Sequence, residues 1–213
     1  MRIAVIGAGR VGGTLARGLV HAGHDVAIAN AHDPETLVPL ADELGVHCVA
    51  LSAMDAERFA DIVVLAIPFG HYDEVPAAAV VGKTVIDATN YVPERDGHVP
   101  ELDDGTASSS ELVQRWLAGA DVVKAFNAMR WDHLRDYGHE GGALERYGIP
   151  VSGDSAPAKR QVFDLIEQLG FEPVDAGGLD EGGRKFQPGT PVYTADLWSE
   201  ELHHRIDVQP DED

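Results

Sequence analysis

Ile3-Ala4-Val5-Ile6-Gly7-Ala8-Gly9-Arg10-Val11-Gly12 joins an apolar run to a glycine-spaced turn, and an apolar-patterned segment leads out over 11–19. Strand, tight turn and helix in that order give the GxGxxG spacing its meaning. Gly7 permits the sharp turn. Gly9 leaves the main chain bare, so that a diphosphate can lie against it. Gly12 lets the helix pack closely on the strand. The first amides of the helix and the positive end of its dipole suit an anion. Gly7, Gly9, Arg10, Val11 and Gly12 are therefore candidate cofactor-binding residues.

Outward from this turn the chain alternates strand and helix patterns. Strands are expected over 2–6, 25–29, 46–50, 62–67, 84–87, 122–126, 149–152 and 171–175. Helices are expected over 11–21, 34–44, 53–59, 111–117, 157–169 and 194–204. Asp33-Pro34, Ser52 and Ser108 through Glu111 supply N-terminal caps. The segment 91–106, with two prolines, two glycines and many acids, reads as a long surface loop. The segment 131–147 reads as partly helical, and the glycine pairs at 177–178 and 182–183 as bracketing a flexible segment. A loop is expected over 184–191 and a disordered tail over 210–213. Uninterrupted apolar strands such as Ile62-Val63-Val64-Leu65-Ala66-Ile67 belong in a sheet buried on both faces. The fold class is α/β, a Rossmann-like doubly wound and mainly parallel sheet over 1–180, with a short C-terminal appendage over 181–213.

Composition narrows the function. The 213 residues carry 36 acids against 16 bases, a net charge of -20, and only four lysines. Such a surface repels nucleic acid and anionic membranes. Apolar runs fall well short of a membrane span. The single Cys48 makes no internal disulfide, and the first strand begins at once, so a reducing cytoplasm is the expected location. The acid-rich, lysine-poor balance also suits concentrated salt, which screens self-repulsion, and it motivates the hypothesis of a halophilic source. Its melting temperature should then rise from dilute buffer to molar salt; a flat profile counts against salt adaptation.

In doubly wound sheets, ligands bind outside the carboxyl ends of the strands. At the end of strand two stand Asn30, Ala31 and His32, where an NAD-preferring site has an acid. Its absence favours NADP, with Asn30, His32, Arg10 and backbone amides to meet a 2′-phosphate, and Asp33 serves better as a helix cap. Ala66, Ile67 and Pro68 end the central strand, where a nicotinamide ring would arrive, with Phe69 as a wall and His71 as a donor; a solvent-facing His71 at a helix start is the alternative. Asn90 ends strand five and Asn127 strand six, followed by Met129. The two amides suit a nicotinamide carboxamide or a substrate carbonyl, and equally a turn. No metal-binding or nucleophile motif is present, and a catalytic acid or base is not identified; hydride transfer needs mainly the alignment of two rings.

These residues resemble the NADPH-dependent reductases of the deazaflavin coenzyme F420. The likeness is carried by 7–12, by Gly23-His24-Asp25-Val26, Ala66-Ile67-Pro68-Phe69, Val151-Ser152-Gly153-Asp154 and Asp175-Ala176-Gly177. The stretches 85–91, 122–128 and 186–191 resemble a broad branch of that family. The resemblance implies a hydride passed between NADP and a deazaflavin as small-molecule redox partner, near 67–69, in a homodimer. It places Phe186 and Pro188 with Phe69, His71, Asn127 and Met129 on the substrate side. The same branch resembles the NADPH-binding domain of membrane ferric reductases, so a flavin, metal chelate, carbonyl or imine acceptor is the alternative. A non-catalytic NADP-binding module is the third reading.

Overall fold

The computed structural model describes residues 1–31, 33–142 and 145–207. His32 and the tail at 210–213 lie outside the described residues. One eight-stranded sheet runs in the order β3-β2-β1-β4-β5-β6-β7-β8. The strands are β1 Arg2–Ile6, β2 Asp25–Ala29, β3 Cys48–Ala50, β4 Ile62–Leu65, β5 Thr84–Asp87, β6 Asp121–Lys124, β7 Gly148–Gly153 and β8 Glu172–Gly177. All neighbours are parallel except β6 and β7, which are antiparallel.

The strand order reverses between β1 and β4, whose ends are level through the pairing Ile6↔Leu65. Gly7 N donates to Ala29 O at 2.7 Å and Ala66 N to Ile6 O at 2.8 Å, so three chain exits leave the sheet side by side. Alternate residues of one strand feed two cores, as the strand period of two requires. Ile3 and Val5 pack with Leu15 and Leu19 of α1 (Arg10–His21) and with Val162 and Ile166 of α8 (Ala156–Gln168). Ala4 and Ile6 pack on the other face with Ala56 of α3 (Ala53–Phe59) and with Leu112 and Val113 of α6 (Ser109–Trp116).

The local signals explain several elements. Ser52 Oγ accepts from Asp55 N at the start of α3, and Ser108 with Glu111 forms a reciprocal capping box at α6. Asp33 accepts from Glu35 N at 3.0 Å and opens a 3-10 turn, Pro34–Leu37, ahead of α2 (Val38–Leu44). The third strand is shorter than expected; Val46 is exposed.

Three expectations need correction. The segment 91–106 is not simply a loop: it holds two single-turn helices, α4 (Pro93–Asp96) and α5 (Pro100–Asp103). Each begins with one of the segment's two prolines, because proline at the first helical position loses no hydrogen bond. Tyr91 Oη ties down α5 by donating to Asp103 at 2.6 Å and accepting from Val99 N. Gly182 and Gly183 do not bound a flexible segment. They are buried in α9 (Glu181–Arg184), where a Cβ on Gly182 would stand 2.5 Å from Ala176 O. The last helix, α10, runs Ser199–Asp207 rather than 194–204. Thr194 and Asp196 adopt positive φ (56° and 50°) and turn the chain before it starts. Within 131–147, α7 covers Trp131–Asp136. His133, Tyr137, Tyr147 and Trp198 then stack in series at 4.4, 4.8 and 4.2 Å and join α7 to the approach to α10. Leu202 and Ile206 of α10 pack with Val174 and Phe186 in a third, smaller core.

Candidate functional site

The glycine turn is shaped by contact. Gly7 has φ +99°, and a Cβ there would lie 2.4 Å from Ala66 O. A Cβ on Gly12 would lie 1.8 Å from Gly7 O, so the helix start and strand end touch through bare backbone. Gly9 differs: a Cβ on it would meet nothing within 4 Å. It is the N-cap of α1, without a side-chain cap and with no acid in the first turn. The dipole end of α1 is thus uncompensated by its own sequence and faces the space beside the turn.

A cleft of about 620 Å³ lies at this switch point. Gly7, Ala8, Gly9, Asn30, Ala31, Ala66, Ile67, Pro68 and His71 line it, together with Ala53, Glu57, Glu74, Val75 and Pro76. Its lining thus takes in the glycine turn, the ends of β2 and β4 and a group of small apolar side chains, Ala53, Val75 and Pro76. Arg10 lays its guanidinium over the Trp131 ring at 5.6 Å, while Arg135 takes a similar place at 5.3 Å. The His71 ring is largely exposed and bonds Glu74 Oε1 through Nδ1 at 2.8 Å.

A second group sits at the ends of β5 and β6. Asn90 Nδ2 donates to Asn127 O at 3.0 Å, and Asn127 Nδ2 donates to Asn90 Oδ1 at 3.2 Å and to Phe186 O at 3.1 Å. Asn127 Oδ1 is buried without a hydrogen-bond partner. Phe126, just before it, has φ +65°, a conformation that costs a bulky residue energy and clusters at functional sites. Below this pair lies an ionic network that the sequence reading missed. Lys124 Nζ donates to Thr89 O, Ser109 Oγ and Ser110 Oγ at 3.4, 3.1 and 3.1 Å and stands 3.7 Å from Asp87 Oδ2. Asp87 accepts from Ser110 Oγ and Thr89 N. Both charged side chains are fully buried. Burial pulls the Lys124 ammonium below the usual lysine range, and Asp87 opposes that.

Three expected substrate contacts are corrected. Phe69 is 1% exposed and packs against Tyr72 and Tyr91 with ring centroids 4.8 and 5.5 Å away, so its ring belongs to the core and does not wall the cleft. Met129 is buried in the core shared with α1. The Phe186 side chain is fully buried in the third core, and only its carbonyl meets Asn127. Pro188 is half-buried, and neither it nor Asn90 lines the cleft.

Glu57 was also missed. It lies one turn after Ala53 on the buried face of α3, beside Ala56 and Ala60. An acid on that apolar stripe is a signal a helical-period scan can find. Glu57 is fully buried, and neither carboxyl oxygen has a hydrogen-bond partner. Burial pushes its carboxyl from 4.5 up to about 7, with Lys83 pulling it back. A folded-state value above the unfolded one means that stability from this site is full below 4.5 and is lost as pH rises toward 7. The span is about 3 kcal/mol. Glu57→Gln should therefore exceed the wild type in stability at pH 8 by up to about 3 kcal/mol and match it near pH 4.5. Urea midpoints at both pH values check this, and equal midpoints at pH 8 refute it.

A switch-point cleft beside a glycine turn on a parallel α/β sheet places the molecule in the Rossmann class of nucleotide-binding proteins. A family model described as NADP oxidoreductase coenzyme F420-dependent matches residues 2–91. The chain belongs to this family. The crystal structure of hypothetical protein SMa0349 from Sinorhizobium meliloti is 34% identical, with 93% of this chain and 95% of that one covered and a TM-score of 0.81. A protein from Arthrobacter sp. FB24, whose name proposes an F420-dependent NADP reductase, is 30% identical over 84% and 86% of the chains, with a TM-score of 0.72. The mouse (Mus musculus) metalloreductase STEAP2 is 28% identical over 199 residues, 92% of this chain and 37% of its own length. The chain therefore spans little more than a third of that curated relative. Among the described residues, no helix is long and apolar enough to cross a membrane.

Proposed function

We propose that the protein is an NADP-dependent oxidoreductase that binds the dinucleotide along the cleft and exchanges a hydride with a deazaflavin. The observation that carries this reading is the cleft itself. Bare backbone at Gly7 and Gly9 and the open start of α1 meet the diphosphate, and the apolar lining residues Ala53, Val75 and Pro76 take the adenine. Arg10, Val11 and Gly12 start the helix that supplies the amides. Asn30 and Ala31 stand at the end of β2, where the 2′-phosphate would lie. The carboxylate of Asp33 is engaged as a cap, so no acid at the end of β2 is set to hold an unphosphorylated ribose. The extended dinucleotide then reaches the ends of β4, β5 and β6. There Pro68, Asn90 and Asn127 position the nicotinamide, and the unpartnered Asn127 Oδ1 is an acceptor for its carboxamide. The dinucleotide supplies the hydride; the protein supplies orientation and excludes water. In this reading 1–180 is the nucleotide-binding unit, 181–213 is its appendage, and the protein works in the cytoplasm as a salt-adapted homodimer.

The test is spectroscopic. NADPH with coenzyme F420 should bleach the deazaflavin visible band in the presence of the protein. Oxidation of NADPH by a flavin with ferric chelate but not by F420 selects the acceptor suggested by the metalloreductase relative. Binding without turnover by any acceptor leaves a nucleotide-binding module.

A further inference from the structure

The lining of the cleft includes Ala53, Val75 and Pro76, an apolar surface of the kind the faces of a flat base touch. A base also has a polar edge, and adenine presents two hydrogens on its 6-amino group. Among the described side chains that line the cleft, Glu57 is the one that is buried with both acceptor oxygens unpartnered. Its neighbours do not use them. Lys83 Nζ donates to the Glu57 main-chain carbonyl, Ser52 Oγ to Asp55, and the His71 ring is bonded to Glu74. Leaving a carboxyl buried and unpaired is costly, so the site gains most from a ligand that brings donors to it.

We propose that Glu57 is the adenine-recognising residue of the cleft, its carboxyl, closed off from solvent on the buried face of α3, swinging to the cleft wall to accept the 6-amino hydrogen bond when the base binds. This rests on the dinucleotide-binding reading above. The class of ligand it selects is a purine nucleotide with a free 6-amino group.

The probe is etheno-NADPH, in which the 6-amino nitrogen and N1 are bridged and no donor remains. Affinities of NADPH and etheno-NADPH are measured at pH 8 for the full chain and for Glu57→Met and Glu57→Gln. Methionine is an apolar near-isostere and removes a buried charge, so the fold should survive it. The wild type should prefer NADPH by about tenfold or more, a hydrogen bond to a charged group being in that range. Glu57→Met should weaken NADPH about tenfold and leave etheno-NADPH unchanged, while Glu57→Gln, which keeps an acceptor, retains most of the preference. A preference undiminished in Glu57→Met, or equal weakening of both probes, overturns the assignment. Failure of the wild type to bind either probe overturns the dinucleotide reading instead.

Discussion

Alanine at Gly9 is expected to leave the protein folded and to strip it of its dinucleotide, while alanine at Gly12 damages the fold itself. Gly9 has φ -74°, an ordinary value for any residue, and a Cβ there meets nothing within 4 Å. Alanine is a poorer N-cap than glycine but loses less freedom on folding, so the two effects nearly offset to within about 1 kcal/mol. The added methyl stands where a diphosphate must lie against the main chain, and NADPH affinity should fall about a hundredfold. At Gly12 the methyl would sit 1.8 Å from Gly7 O, a backbone atom that cannot step aside. Helix α1 must move off the sheet, at a cost of about 3 kcal/mol or more. Melting curves and NADPH titrations of both variants separate the two roles. A Gly9→Ala protein that binds NADPH as the wild type does would refute the proposed path of the dinucleotide.

The second large effect is at Lys124. Its three ammonium hydrogens are spent on Thr89 O, Ser109 and Ser110, with Asp87 alongside, and no water reaches either charge. Lys124→Met leaves the Asp87 carboxylate buried without its cation and should cost about 3–5 kcal/mol. Adding Asp87→Asn removes the stranded charge while keeping an acceptor for Thr89 N, so the double variant should recover most of the loss. Urea denaturation of the two proteins decides it; a single variant within about 1 kcal/mol of the wild type would show that the pair does not contribute as described. Because Thr89 lies between this pair and Asn90, the single variant also loosens the asparagine bridge to Asn127.

The sheet was legible in the sequence because its strands are short apolar runs closed by glycine, proline or asparagine, and burial on both faces leaves no other use for them. The glycine turn was legible because the positive φ of Gly7 and the contact of Gly12 with Gly7 O arise within the turn itself and admit one residue type. What escaped has a common cause. Single-turn helices such as α4 and α5 are too short to show a period. Glycines in α9 look like hinges until the fold sets Ala176 O against Gly182 and Ser108 Oγ against Gly183. Phe69 follows the right strand for a ring wall, yet the 3-10 turn it starts carries its side chain inward to Tyr72 and Tyr91. The Lys124–Asp87 pair joins neighbouring strands at paired positions, a proximity that only strand order reveals.

The guanidinium groups of Arg10 and Arg135, held 5.6 and 5.3 Å from the Trp131 ring centre, give the molecule an internal optical gauge. Arg10 begins the helix whose amides front the cleft, so an anion that recruits its guanidinium uncovers one face of the indole. Emission from Trp131, with Trp116 and Trp198 replaced by phenylalanine, should then track occupancy in real time, without a label and without turnover.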